Sequence, residues 1–316
     1  MTDAEALFTE SRRPIAIGIG GGGDVVGALA TAEALRLSHG ADPILGGVTW
    51  ERRPIDPQPG PRAVHEIEGG REIAPYVLAA SPDTRVGESG VLFAESRMAE
   101  FLGVSTLLLD PNGGPAGLEQ GLAETYAMLE ADLIVFVDVG GDAIAHGDEP
   151  GLASPLCDAV LLAAAARLQA SGHRVLGAIF GVGCDGELTP AEVGERLAEV
   201  GAAGGLAGAR GLTPAVAERV EAAAEVVPTE ASLQAVRAFR GATGVAEIRD
   251  GRRTVELSTA SAMTIFFDVQ VAVDSAARLA RAVDGAEDLL AANEALHAIG
   301  VRSELDLELE HARAQS

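Results

Sequence analysis

The chain has 316 residues, of which 47% are hydrophobic and 22% are charged, so disorder and a fibrous architecture are excluded. All 23 basic residues are arginine, and without lysine the P-loop, Schiff-base and pyridoxal phosphate mechanisms are excluded because each needs a lysine amine. The 47 acidic residues give a formal charge of -24, which disfavours nucleic acid and anionic membranes as partners.

The first two thirds of the chain alternate between strand and helix patterns. Short apolar runs predict strands at 14–20, 43–50, 104–109, 133–137 and 175–180. Helical spacing predicts helices at 25–36, 93–102, 118–130, 155–170 and 190–200. Because such alternation is typical of βαβ units, we predict an α/β fold: a Rossmann-like, doubly wound, mainly parallel sheet over residues 1–205.

The last third of the chain has a different character. A Gly/Ala-rich stretch at 201–211 resembles a linker, and helices are predicted at 214–224, 230–239, 268–283 and 285–299. A hairpin is predicted from strands at 244–248 and 254–258, joined by a turn that contains Asp-Gly. We therefore expect residues 206–316 to form a mostly helical C-terminal part, with a short hairpin, packed on the core.

The loops that follow the predicted strands are rich in glycine and in carboxylate or amide side chains. In an open parallel sheet the ligand site lies beyond the carboxyl ends of the strands, so these loops are the candidate ligand-binding segments. Glycine pairs let a backbone approach a ligand closely. The candidate ligand-binding residues there are Gly20, Gly21, Gly22, Gly23, Asp24, Asn112, Gly140, Gly141, Gly181 and Asp185.

The first of these loops contains the G-x-G-x-x-G pattern as Gly18, Gly20 and Gly23, between a strand and a helix. Backbone N–H groups and a helix N-terminus at such a loop favour an anion such as phosphate. The alternative is a tight turn without a ligand, in which Asp24 is the N-cap of the helix.

The acidic loop that begins at Asp138 is the candidate catalytic and metal site. Asp138 and Asp142 are predicted to bind Mg²⁺ or to act in acid/base chemistry, because oxygen ligands suit Mg²⁺ and neighbouring carboxylates shift a pKa. His146, Asp148 and Glu149 lie nearby in sequence. The alternative is a solvated loop in which Asp138 caps backbone amides.

Glu51 and Arg53 follow the second predicted strand, where dinucleotide-binding folds hold the ribose or its 2′-phosphate. Arg52 and Arg53 could clamp an anion, or they could form ordinary surface ion pairs. The two cysteines, Cys157 and Cys184, have neither metal-binding nor redox spacing, and a structural role is favoured for Cys184. The N-terminus has no apolar signal core and no apolar stretch reaches the ~18 residues of a membrane span, so we expect a cytoplasmic protein.

The long glycine motif from Gly20 to Leu29 resembles an uncharacterised archaeal and actinobacterial family, domain of unknown function 1152. The segment from Gly183 to Leu188 resembles the same family more loosely, and Cys184 departs from the small residue expected there. The resemblance covers most of the chain. It implies a Rossmann-like fold with glycine loops at one face, and no established reaction.

Three functional hypotheses follow from the sequence. The first is a hydrolase or transferase that binds a small anionic or nucleotide-like ligand, with Mg²⁺ or a nucleotide as candidate cofactor. The second is an NAD(P)-dependent oxidoreductase with Glu51 on the ribose, although four consecutive glycines are atypical of that fingerprint. The third is a non-catalytic protein that binds or senses a small molecule. A homo-oligomer is compatible with all three.

Overall fold

A computed structural model describes residues 2–315 and contains one large sheet with two small two-stranded sheets beside it. The strands of the described chain are, in order, β1 Pro14–Gly18, β2 Ile44–Val48, β3 Ile67–Glu68, β4 Arg71–Ala74, β5 Val77–Ala80, β6 Arg85–Val86, β7 Thr106–Leu109, β8 Leu133–Val139, β9 Val175–Phe180, β10 Leu206–Gly211, β11 Gly244–Ile248, β12 Arg253–Leu257 and β13 Met263–Phe267.

Helices connect and cover these strands. They are α1 Ala4–Glu10, α2 Asp24–His39, α3 Ala94–Leu102, α4 Gly114–Met128, α5 Pro155–Ala170, α6 Pro190–Ala202, α7 Pro214–Ala224, α8 Ala231–Phe239, α9 Val269–Ser275, α10 Arg278–Val283, α11 Leu289–Ala298 and α12 Glu304–Gln315. Short 3₁₀ turns lie at Val64–Glu66, Pro111–Gly113, Asp142–Ile144 and Thr259–Ala262. None of the helices within residues 2–315 is both long and apolar enough to cross a membrane.

The large sheet has nine strands in the order β10-β13-β9-β8-β1-β2-β7-β5-β4. Its five central strands are parallel to one another: β9, β8, β1, β2 and β7. The two further strands at each edge pair antiparallel with their neighbours. The central order is that of a doubly wound dinucleotide-binding sheet, in which the chain leaves the middle strand first to one side and then to the other. The predicted α/β, Rossmann-like fold is confirmed.

Both faces of the sheet are buried, as expected for central parallel strands. Alternate residues of each strand face opposite layers: Ile15 and Ile17 pack with α4, α5 and α9 to α11, whereas Ala16 packs with α1, α2, α7 and α8. α5 is almost entirely buried, which explains its run of apolar residues on every side. Packing on both faces therefore fixes the strands and the points at which the loops leave them.

The last third of the chain differs from the prediction in its strands, in the division of the helix predicted at 268–283 into α9 and α10, and in α12, which was not predicted. The Gly/Ala-rich stretch predicted as a linker is mostly β10, and β13 was not predicted. Together they extend the main sheet, because β13 pairs with β9 and β10 pairs with β13. β10 contains few β-branched or aromatic residues, so pairing with its neighbour, rather than local propensity, makes it a strand. The hairpin of β11 and β12 was predicted nearly to the residue.

Candidate functional site

The candidate site lies at the carboxyl ends of β1, β8 and β9, the crevice where the direction of winding changes. Six buried or partly buried carboxylates meet there, and we call them the acidic cluster: Asp24, Asp138, Asp142, Asp158, Asp185 and Glu187. Five of the six come from the first residues after a central strand or from the end of that strand. The loops after β1, β8 and β9 therefore meet at one edge of the sheet.

Asp24, Asp138 and Asp158 form one half of the acidic cluster, with a carboxylate oxygen from each lying within 4.8 Å of the others. Asp24 is the first residue of α2, and its Oδ2 accepts the Gly20 N–H at 3.0 Å. Asp138 lies near the end of β8, where its side chain is buried (1% exposed) and accepts the Ala143 N–H at 3.2 Å. Asp138 therefore caps an amide as the alternative interpretation expected, but it is buried rather than solvated.

Asp142, Asp185 and Glu187 form the other half, again with oxygens within 4.8 Å of one another. Glu187 is saturated: it accepts N–H groups from Ala153 at 2.7 Å and Ser154 at 2.9 Å, and it pairs with Arg253 at 2.9 Å. Arg253 and these hydrogen bonds outweigh burial and lower the pKa of Glu187. Glu187 is thus a fixed anion that ties the β9 loop to the start of α5.

The five aspartates of the acidic cluster accept fewer hydrogen bonds than Glu187, and these bonds do not outweigh burial. Burial is the main cause that raises the pKa of each, and the neighbouring carboxylates raise it further. Among the described residues no arginine forms an ion pair with any of them. Two of their oxygens, Asp158 Oδ1 and Asp185 Oδ1, are buried without a hydrogen-bond partner. Such a site must hold either protons or cations.

Two glycines make room for the acidic cluster. A Cβ atom on Gly140 would lie 2.0 Å from Asp185 Oδ1, and the φ angle of Gly140 is +125°. A Cβ atom on Gly20 would lie 2.6 Å from Asp24 Oδ2 and 3.3 Å from Asp158 Oδ2. The glycine loop therefore packs against carboxylates, which would repel a bare anion.

Arg52, not Arg53, is the arginine that faces the site. Its guanidinium lies over the Trp50 ring, donates to the Gly20 carbonyl at 2.8 Å and pairs with Glu304 at 3.1 Å. The side chain of Arg52 remains 23% exposed, so it forms the edge of the site towards solvent. Arg53 points along its own loop, where it donates to the Pro57 carbonyl.

The C-terminal helix α12 closes the site with two buried glutamates. Glu304 accepts the N–H groups of Leu156 and Cys157, both at 2.9 Å, and so occupies the N-terminus of α5. Glu308 accepts the Trp50 indole N–H at 3.1 Å and the Gly60 N–H at 2.8 Å. α12 is therefore anchored by carboxylates beside Arg52.

The other residues predicted at the site lie around it. Glu51 is buried, 3% exposed, and accepts the Ala94 N–H at the start of α3. Asn112 donates to Asp110 at 2.8 Å, near the end of β7. Gly22 and Gly181 donate their N–H groups to the carbonyls of Trp50 and Met263. Of the remaining loop glycines, Gly21 lies beside the Trp50 carbonyl and the Arg52 side chain, Gly23 beside Thr229, and Gly141 beside Val193.

Cys184 is a buried free thiol, and burial raises its pKa to about 12, which agrees with a structural role. His146 lies 2.9 Å from Glu199, and Glu149 pairs with Arg196 at 3.4 Å, so this neighbouring loop is held against α6. A groove of about 210 Å³ lies elsewhere, between α2 and β10, and is lined by none of the acidic cluster.

Sequence reasoning missed Asp158, Glu187 and Glu304 as members of the site, and it named Arg52 only together with Arg53 as a possible anion clamp. Asp158 carried a signal that could have found it, since it is the one acidic residue in an otherwise apolar helix from Pro155 to Ala166. Glu304 carried no local signal, because α12 reads as an exposed acidic helix.

A family model described as "Protein of unknown function (DUF1152)" matches residues 15–312, nearly the whole chain. The chain belongs to this family. The resemblance seen in the glycine motif is thereby confirmed. Comparisons with curated proteins and with solved structures give no significant match.

Proposed function

We propose that this DUF1152 protein is an enzyme that depends on a divalent cation and hydrolyses or transfers a group of a small anionic molecule. The observation that carries the proposal is a set of four buried aspartates and the partly buried Asp24 at the switch-point crevice of the sheet, none of which forms an ion pair with an arginine among the described residues. Buried charges in proteins are paired or coordinate metals, and carboxylate oxygens are the ligands that Mg²⁺ prefers.

Asp138, Asp142 and Arg52 have different roles in the proposed reaction. Asp138 and Asp142 hold the cation, and Asp142 is also the candidate general acid or base, as expected from the sequence. Arg52 binds the anionic end of the ligand, because it is the partly exposed guanidinium beside the acidic cluster. The cation, when bound, neutralises charge and polarises the ligand. Arg52, which pairs with Glu304, would exchange this carboxylate for the anionic end of the ligand.

A phosphorylated small molecule, including a nucleotide, fits these roles best. In a protein without lysine, phosphate charge must be met by arginine, backbone N–H groups or a metal. The glycine loop alone would not attract such a ligand, since it borders the carboxylates of Asp24 and Asp158. We retain the cytoplasm as the proposed location, and the two buried free thiols are compatible with it.

The proposal is tested by turnover. Metal-free protein is incubated with pyrophosphate, nucleoside triphosphates and sugar phosphates, and release of inorganic phosphate is measured with and without Mg²⁺. We expect release with at least one substrate, only when Mg²⁺ is present, and its loss in Asp142→Asn. A protein whose thermal unfolding responds neither to Mg²⁺ nor to any of these ligands would contradict the proposal.

A further inference from the structure

The acidic cluster contains two groups of carboxylates, and within each group the ligand oxygens lie within 4.8 Å of one another. Glu187 is neutralised by Arg253, which leaves five aspartates and no arginine in contact with them among the described residues. If all five are ionised, one divalent cation leaves a net charge of about -3 in a buried site, and two leave about -1. We propose that the acidic cluster holds two divalent cations side by side, with Asp138 as the carboxylate that they share. This inference rests on the proposed cation dependence and extends it.

The first cation site is formed by Asp24, Asp138 and Asp158. Their ligand oxygens lie within 4.8 Å of one another, which suits an octahedral cation with oxygen ligands at about 2.1 Å after small side-chain rotations. Asp158 is 1% exposed, and its Oδ1 has no hydrogen-bond partner. A buried carboxylate oxygen without a hydrogen-bond donor is available as a ligand for a cation.

The second site is formed by Asp142 and Asp185, next to Asp138. Asp185 is 6% exposed, and its Oδ1 likewise has no partner, although its Oδ2 accepts the Glu187 N–H. Glu187 lies next to this site, but both of its carboxylate oxygens already accept hydrogen bonds from Ala153 and Ser154, just before α5, and from Arg253. Glu187 therefore positions the loop that carries Asp185, while the two aspartates supply the open ligand atoms.

Asp138 joins the two sites because it belongs to the first group and its carboxyl contacts that of Asp142. Paired cations with a shared carboxylate lie about 4 Å apart in proteins, a spacing that clamps the oxygens of one phosphoryl group. The substrate class favoured by this arrangement is therefore a phosphate ester or a diphosphate, with Arg52 available to its remaining negative charge.

The inference is tested by titrating the full-length, metal-free protein with Mn²⁺. Calorimetry gives the number of cations bound to each chain, and electron paramagnetic resonance reports whether two Mn²⁺ ions are magnetically coupled. We expect two Mn²⁺ per chain in the wild type, with a coupled spectrum. Asp158→Asn and Asp185→Asn should each bind one Mn²⁺ and give the spectrum of an isolated ion.

The exposed Asp42 provides the matched control, and Asp42→Asn should still bind two coupled ions. Each cluster variant removes an uncompensated buried carboxylate, so the metal-free variants should unfold at temperatures no lower than the wild type. One Mn²⁺ per wild-type chain would overturn the paired site and leave the proposed function standing. No bound Mn²⁺ would overturn both.

Discussion

Glu51 offers a test of whether a buried carboxylate after β2 is a helix cap or a ribose ligand. Its side chain is 3% exposed and accepts the Ala94 N–H at the start of α3. Burial raises its pKa from 4.5 to about 7, even though that hydrogen bond and Arg97 act in the opposite direction. We predict that Glu51→Gln, which keeps an acceptor oxygen but cannot ionise, removes the contribution of this residue to the pH dependence of stability.

The sign and size follow from the two pKa values of Glu51. The folded state binds the Glu51 proton more tightly than the unfolded state, so below pH 4.5 the residue contributes no pH dependence. Between pH 4.5 and about 7 the wild type loses stability as the pH rises, and above that range the loss is complete. At about 1.4 kcal/mol for each pH unit, the loss due to this residue is on the order of 3 kcal/mol.

Urea unfolding at pH 5 and pH 8 measures this difference. From pH 5 to pH 8 the free energy of unfolding of Glu51→Gln should fall by roughly 3 kcal/mol less than that of the wild type. Glu100→Gln, on the exposed side of α3, is the control and should follow the wild type. Equal falls in Glu51→Gln and the wild type would refute the reasoning from burial. A rise in melting temperature with NAD that is lost in Glu51→Gln would support the ribose role instead.

Three further predictions concern the site itself. Asp142→Asn should lower kcat by about 100-fold or more while ligand affinity stays within a few fold, as measured by steady-state kinetics and calorimetry. Arg52→Lys should weaken binding of a phosphorylated ligand by about tenfold, because the planar guanidinium is lost, whereas Arg53→Lys should bind like the wild type. Gly140→Ala should abolish the rise in melting temperature caused by Mg²⁺ and cost roughly 1–3 kcal/mol of stability, because its Cβ would lie 2.0 Å from a cluster carboxylate. Gly194→Ala, with nothing within 4 Å of the added methyl, should retain the Mg²⁺ response.

The central sheet could be predicted from the sequence because its strands and helices have strong local patterns. The five parallel strands are short apolar runs, three of which end in or lead directly into glycine, and helices lie between them as parallel pairing requires. The edge strands β10 and β4 lack such patterns, since their pairing with neighbours decides their structure.

The site was only partly predictable for the same reason. Loops after neighbouring parallel strands must meet, so Asp24, Asp138 and Asp185 could be assigned to one edge from the sequence alone. Glu304 reaches the same edge from a helix more than a hundred residues further along the chain, and only the tertiary structure brings it there. The choice between Arg52 and Arg53 depends on the conformation of the loop after β2, which no periodic pattern encodes.

Anomalous diffraction from crystals of the full-length protein grown with Mn²⁺ tests the central claim most directly. At a wavelength where manganese scatters anomalously, the account predicts density among the carboxylates of Asp24, Asp138 and Asp158, with a second peak beside Asp142 and Asp185. Crystals that contain Mn²⁺ but show no anomalous density in the acidic cluster, or show it only at the neighbouring group of His146, Asp148 and Glu149, would contradict the account.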